Sequence, residues 1–176
     1  MTDIKVRMIH REIAVSNYCV FKDELKSKNF TPGISNSKLY FAKSFMKHIT
    51  VVAAVIEHNE KYLCVQRGIN KYAYISKKWE FPGGKVEANE SPENALFREI
   101  QEELHLDIHS LQFLITVEHS YPDFRLTMHT YLCKSEQSTP TLTEHLDYTW
   151  LSASQMSHLD WAAADLPIVD KLISLS

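Results

Sequence analysis

Hydrophobic and polar positions along this chain change period several times, and each change marks an element. From His48 to Glu57 the residues Ile49-Thr50-Val51-Val52-Ala53-Ala54-Val55-Ile56 form an apolar, β-branched run that predicts a buried strand. His58-Asn59-Glu60 turn the chain, and Tyr62 to Arg67 reads as the hairpin partner. A polar loop through Lys77 and Lys78 follows, and Trp79-Glu80-Phe81 forms a short strand running into Pro82-Gly83-Gly84. Ser91-Pro92-Glu93 starts a helix: serine caps, proline is tolerated at the first helical position, and glutamate suits the positive end of the dipole. That helix is predicted to reach about Leu104. Further strands are expected over Leu111 to Glu118, Arg125 to Cys133 and Asp147 to Leu151. A last helix, from about Leu166 to Leu175, places Ile168, Leu172 and Ile173 at helical spacing with Asp165 available as its cap.

Strands and helices thus mix along one domain, which predicts an α/β sandwich. No internal repeat appears. Turn formers cluster at Thr31-Pro32-Gly33-Ile34-Ser35-Asn36-Ser37, and the pattern before them is weak. We therefore expect residues 1–45 to be an N-terminal extension of unassigned role and residues 46–176 to be the functional domain.

Composition narrows the class. The chain has 176 residues, 44% of them hydrophobic and 23% charged, enough for one globular core. No window approaches the roughly 18 apolar residues of a membrane span, and Met1-Thr2-Asp3-Ile4-Lys5 lacks a signal-peptide block, so a cytoplasmic protein without membrane partners is expected. Cys19, Cys64 and Cys133 stand at unrelated spacings and read as free thiols. Residues 1–48 carry nine Lys/Arg against four Asp/Glu, while the remainder carries ten against eighteen. The nine cations are scattered rather than clustered, so the head reads as solvated surface and not as a nucleic-acid contact.

The acidic body holds the chemistry. On the helix begun at Ser91, Glu99 stands three and four residues before Glu102 and Glu103, so the three carboxylates share a face, while Leu96, Ile100 and Leu104 form another stripe. Crowded like charges repel unless a cation neutralises them, and oxygen donors suit hard Mg²⁺, for which Mn²⁺ would substitute. Hydrolysis of a phosphoanhydride needs charge neutralisation, a placed water and a base. Arg98, beside Glu99 and four residues before Glu102, is placed to orient carboxylates. Gly83 and Gly84 allow a sharp turn that offers a carbonyl to the metal face, and Lys85 could meet a phosphate. None of the nine histidines is paired at His-x-x-x-His spacing on one helix, which argues against zinc.

The spacing of Gly84, Glu90 and Arg98-Glu99-Ile100-Gln101-Glu102-Glu103-Leu104-His105-Leu106 resembles the Nudix box. Six such matches would arise by chance on the order of once in 10⁵ chains of this length. One position departs, because the family usually has glycine where His105 stands, ending the helix in a left-handed conformation. Trp79 to Glu87 is similar to the MutT branch, whose members convert nucleoside triphosphates, including oxidised dGTP, to monophosphate and pyrophosphate. Leu159 to Pro167 is similar to bacterial CTP pyrophosphohydrolases. The resemblance implies the Nudix fold, a mixed β-sheet between helices, and a small nucleotide as substrate.

Carried over by position, it implies that the Gly83 carbonyl, Glu99, Glu102 and Glu103 ligate metal and that Glu144 is a further ligand or the base. It places Arg67 and Lys85 on phosphates, Phe81 near the base and Asp165 on the base edge. Local readings stand beside these: Glu90 could serve the helix end, Arg67 a surface carboxylate, and Asp165 the last helix as its cap. An ionised Asp165 would accept from the amino groups of guanine or cytosine but offer uracil no donor, so uridine and thymidine triphosphates are expected to be poor substrates. Two other functions fit the box: hydrolysis of a nucleotide sugar or dinucleotide, and a non-catalytic ligand sensor. Sensors typically lose box carboxylates, which this chain retains.

Overall fold

Even and odd residues of the first apolar run serve two different cores, which is why it reads as continuous rather than alternating. In the computed structural model, which describes residues 46–176, this run is strand β1 (Lys47–His58). Val52, Ala54 and Ile56 face one layer, while Ala53 and Val55 face the other. The first layer is helix α1 (Pro92–Leu104), which buries Ala95, Leu96, Ile100 and Leu104. The second holds helix α2 (Leu166–Leu175), with Ile168, Val169 and Leu172, and a 3-10 segment at Ala153–His158 that buries Met156. A mixed sheet therefore lies between helices, the α/β Nudix architecture expected. The N-terminal extension, the boundary at 31–37 and Cys19 lie outside the described residues.

The sheet is completed by β2 (Lys61–Gln66), β3 (Trp79–Glu80), β4 (His109–Ser120), β5 (Phe124–Lys134) and β6 (Asp147–Leu151). Strand order is β3-β2-β1-β5-β4, with β6 paired to β2. β1 and β5 run parallel, from Lys47 opposite Phe124 to Glu57 opposite Lys134. β1 and β2 pair only near their turn, at Glu57 with Tyr62 and His58 with Lys61, and then part. The segment after β3 fills the gap. Trp79 and Glu80 pair with β2, and the carbonyls of Pro82 and Gly84 then accept the N–H groups of Ala54 and Val52 of β1, each at 2.8 Å.

Helix α1 is bounded as its sequence predicts. Ser91 Oγ accepts the Asn94 N–H at 3.2 Å, and His105 ends the helix in the left-handed region at φ 53° and ψ 37°. Its N–H still reaches the Gln101 carbonyl, as a glycine would in that place. Leu96, Ile100 and Leu104 are each fully buried, contributing roughly 1.5–3 kcal/mol apiece.

Four local expectations need correction. Phe81 lies outside the third strand because its N–H is taken by the Asp165 side chain instead of the ladder. β4 extends beyond Leu111 to Glu118 at both ends, since its pairing with β5 is a backbone matter that exposed residues follow equally well. The 3-10 segment was not anticipated, although Ser152 and Gln155 carry a capping signal, the Gln155 side chain accepting the Ser152 N–H at 3.1 Å. Asp165 does not cap α2 with its side chain, because its backbone is already helical, at φ −86° and ψ −21°.

Candidate active site

Arg98 organises the polar face of α1. Its guanidinium meets Glu90 with two bonds, Nε to Oε1 at 2.9 Å and Nη2 to Oε2 at 2.8 Å. Nη1 donates to Glu99 at 2.9 Å and to Glu102 at 3.3 Å, and Nη2 also donates to the Lys85 carbonyl at 3.0 Å. Glu90 in turn accepts the Glu87 N–H at 3.1 Å, so both its oxygens are engaged in holding the loop that leads into the helix. The bonds from Arg98 hold the Glu90 carboxyl below the usual carboxylate range.

The two glycines are required by contact. Gly83 has φ +149°, and a Cβ there would overlap the Val52 carbonyl oxygen and Ala53 Cα of β1. A Cβ on Gly84 would overlap the Glu99 carboxylate. Glu99 therefore lies against bare backbone. While the carbonyls on either side are bonded to β1, that of Gly83 receives no hydrogen bond from the described residues.

Beyond α1, the loop before β6 closes the site. Thr141 N–H donates to the Leu104 carbonyl at 2.8 Å, Thr143 N–H to that of Glu103 at 3.0 Å, and the Thr143 hydroxyl to Glu102 and Glu103 at 3.1 and 3.2 Å. These donors satisfy carbonyls that the helix end leaves open. They also bring Glu144, which is exposed, and His145, which is not, to the acidic face. Glu103 Oε2 is buried without a hydrogen-bond partner among the described residues. Burial first, then the Glu99, Glu144 and Glu80 carboxylates, push Glu103 up to about 7 against the opposing influence of His145.

The opposite end of the cleft is apolar and aromatic. Phe81 is buried and stacks on Trp161 at 4.9 Å between centroids. Tyr121 and Phe124, at the turn between β4 and β5, pack at 4.9 Å beside Leu126 and Met128. Asp165 lies at this end, buried, with Oδ1 accepting the Phe81 N–H at 2.9 Å. Burial, reinforced by Glu80, raises its carboxyl to about 8 despite the Phe81 bond and Arg67. Burial thus favours the protonated form of Asp165, which can donate as well as accept, over the ionised acceptor on which the uridine expectation rests.

One cleft of about 1000 Å³ joins the two ends, a volume suited to a nucleotide-sized ligand, and all eleven residues singled out from the sequence belong to it except Glu90. Lys85 is exposed at its rim. Arg67 remains partly exposed, but its Nε donates to the buried Glu80 at 2.7 Å, so its carboxylate partner is a buried one and not the surface one expected. Tyr121, Phe124, Glu80 and His145 escaped the sequence reading. The first two approach β1 only through the parallel pairing of β1 with β5, which leaves no local signal. The donor set fits a hard divalent cation: carboxylate oxygens, an unpartnered backbone carbonyl and a buried oxygen with no bond of its own. Among the described residues no three acidic, histidine or cysteine side chains stand together as a ready-made shell, since Glu99 and Glu102 are turned towards Arg98.

Comparison with known proteins decides the family. Residues 46–172 match the model of the NUDIX domain. The chain belongs to the Nudix family. Like the family at large, which generally uses divalent metals, it is a hydrolase. This Nudix chain is 32% identical over 130 residues to a CTP pyrophosphohydrolase of Escherichia coli K12, covering 74% of itself and 95% of that protein. It is 41% identical over 88 residues to an 8-oxo-dGTP diphosphatase of Proteus vulgaris, covering 49% and 76%. A solution structure of a MutT protein from methicillin-resistant Staphylococcus aureus 252 superposes with a TM-score of 0.60 at 41% identity, covering 75% of this chain and all of that one. Among the described residues no helix is long and apolar enough to cross a membrane.

Proposed function

We infer that this Nudix hydrolase is a Mg²⁺-dependent nucleoside triphosphate pyrophosphohydrolase, converting a triphosphate and water to a monophosphate and pyrophosphate. The observation that carries the reading is the polarity of its cleft, acidic along α1 and aromatic around Phe81, Tyr121 and Phe124. A nucleotide has the complementary polarity. The names of relatives favour oxidised dGTP and cytidine triphosphates as substrates.

Glu99, Glu102, Glu103 and the Gly83 carbonyl would hold the cation, with Glu144 as a further ligand. Bound there, Mg²⁺ supplies charge neutralisation for the phosphate chain, and Mn²⁺ would substitute. Lys85 faces the phosphates from the rim, and Arg67 steadies Glu80 beneath them. One of Glu99, Glu102, Glu103 or Glu144 receives the proton of the attacking water. Arg98 sets the orientation of Glu99 and Glu102, while Glu90 anchors Arg98. Phe81 offers a face for stacking, and Asp165 reads the base edge as a neutral acid.

Incubation of the full chain with Mg²⁺ and a panel of normal, oxidised and methylated nucleoside triphosphates, nucleotide sugars and dinucleotides tests this reading. Monophosphate and pyrophosphate from oxidised dGTP or a cytidine triphosphate are expected. Cleavage confined to nucleotide sugars or dinucleotides would reject it.

A further inference from the structure

Ile69 lines the cleft, yet 82% of its surface is exposed, the largest fraction of any bulky apolar residue among those described. A single exposed aliphatic side chain is ordinary on a protein surface. This one, however, is held where it stands. The loop between β2 and β3 is closed at its neck by the Arg67 N–H on the Lys78 carbonyl at 2.9 Å and by Gln66 Nε2 on the Lys77 carbonyl at 3.0 Å. Both neighbours of Ile69 are bonded across the loop: the Gly68 carbonyl accepts the Lys77 N–H at 3.4 Å, and the Asn70 N–H donates to Ser76 Oγ at 3.1 Å.

Aromatic rings fasten this loop to the turn between β4 and β5. Tyr72 stacks on Tyr74 at 5.4 Å and 19°, and Tyr74 on Tyr121 at 5.1 Å and 18°. The Tyr74 hydroxyl donates to Asp123 Oδ2 at 2.8 Å. Tyr121 is anchored in turn, its hydroxyl accepting the Ala164 N–H at 3.2 Å. The neighbours of Ile69 also locate it along the cleft. A Cβ on Gly68 would lie 3.3 Å from the Glu144 carbonyl oxygen, whereas Tyr72 packs on Phe124 at 5.8 Å. Ile69 therefore stands on the rim between the acidic end and the aromatic end. A nucleotide lying along the cleft has its sugar between those ends.

We propose that Ile69 is a substrate-binding residue, an aliphatic cover for the sugar of the bound nucleotide, and that Tyr74 is the positioning residue that holds it there through Tyr121 and Asp123. The proposal rests on the reading of this cleft as a nucleotide site. The carbon-bearing face of a sugar gains by burial against methyl groups, and Ile69 gains with it. Such a contact is made equally before and during the reaction, so it acts on KM and leaves kcat alone.

Ile69→Ala removes a side chain that packs on little of the protein, so the melting temperature should not change. With the full chain and Mg²⁺, KM for the best triphosphate should rise roughly 5- to 20-fold with kcat within about twofold of wild type, and Ile69→Leu should restore most of the loss. Tyr74→Ala should raise KM as much, and adding Ile69→Ala to it should raise KM little further, because a displaced Ile69 has no contact left to lose. Tyr74→Phe keeps the stack, gives up the Asp123 bond and should fall between; it replaces Tyr74→Ala in the comparison if the latter fails to fold. An unchanged KM in Ile69→Ala would overturn the proposal, and additive effects of the two substitutions would overturn the role of Tyr74. A measurement without metal stands apart from turnover. In methyl NMR with CMP or dGMP added to saturation, the Ile69 resonance should move together with that of Met128, which also lines the cleft. Movement of Met128 alone would overturn the proposal while keeping the nucleotide reading of the cleft, and movement of neither would reject both.

Discussion

Replacing Asp165 by asparagine should make the protein more stable in alkali while leaving it unchanged in acid. The carboxyl is buried and raised from 3.8 to about 8, so the folded state keeps its proton over a range where the unfolded chain has lost it. Such a group contributes stability that is fully present below about pH 4 and is lost progressively as pH rises to about 8. At ~1.4 kcal/mol per pH unit, a span of about four units sets a ceiling near 6 kcal/mol, and relaxation around the ionised form brings the expected loss to roughly 2–3 kcal/mol. Asparagine keeps the oxygen that accepts the Phe81 N–H and cannot ionise. Glu103, raised to about 7, adds a loss of the same sign, but it is present in both proteins and cancels in their difference. Urea unfolding in metal-free buffer from pH 4 to pH 9 measures that difference directly. It should be smallest at pH 4, exceed about 1 kcal/mol by pH 5, and reach roughly 2–3 kcal/mol in favour of the variant at pH 9. Parallel stability curves would show that Asp165 is ionised in the fold and would refute the reasoning. A kinetic consequence follows, because the amide of asparagine presents an N–H where the neutral acid presents an O–H. Base preference near pH 7 should survive the substitution, whereas that of the wild type should drift above pH 8 and that of the variant should not.

Glu102→Gln should lower turnover by at least ~100-fold without altering the melting temperature by more than a few degrees, because it removes a charged oxygen from the proposed cation site but no packed atom; steady-state kinetics and thermal melts check both halves. His105→Gly should stabilise the protein by about 1 kcal/mol, raising the melting temperature by roughly 2–4 °C, since His105 occupies a left-handed position and its side chain makes no hydrogen bond to the described residues; a clear drop in melting temperature would contradict this. A chain beginning at Met46 should fold and retain hydrolysis, as judged by circular dichroism and the triphosphate assay, and insolubility or inactivity would assign residues 1–45 a part in the core or the site.

The local signals in the sequence were strong where chemistry and backbone geometry coincide within a few residues. Ser91, Pro92 and Glu93 announced a helix start, His105 its end, and the spacing of Glu99, Glu102 and Glu103 put three carboxylates on one face. What escaped notice depends on partners far along the chain. Glu80 looked like a strand residue, and only folding brings Arg67 and His145 to it from either side. Tyr121 and Phe124 sit in a turn whose place beside the cleft is set by β5 lying parallel to β1, a pairing that periodicity does not specify. The sequence offers Asp165 as a helix cap or as a reader of the base edge, and neither signals the burial that favours its protonated form in the fold.

The strip between β2 and β1 acts as a ruler. Phe81 at the base end and Gly83 at the cation end are joined through Pro82 alone, so at ~3.3–3.6 Å per residue bond geometry caps their separation at about 7 Å, whatever the bend at Pro82. On the proposed reading, the distance from base to phosphate chain is therefore a covalent property of the protein rather than a product of side-chain packing. Residues around Phe81 can be exchanged to suit another base without resetting the phosphates, whereas inserting or deleting one residue in the strip would displace one end from the other whatever side chains surround it.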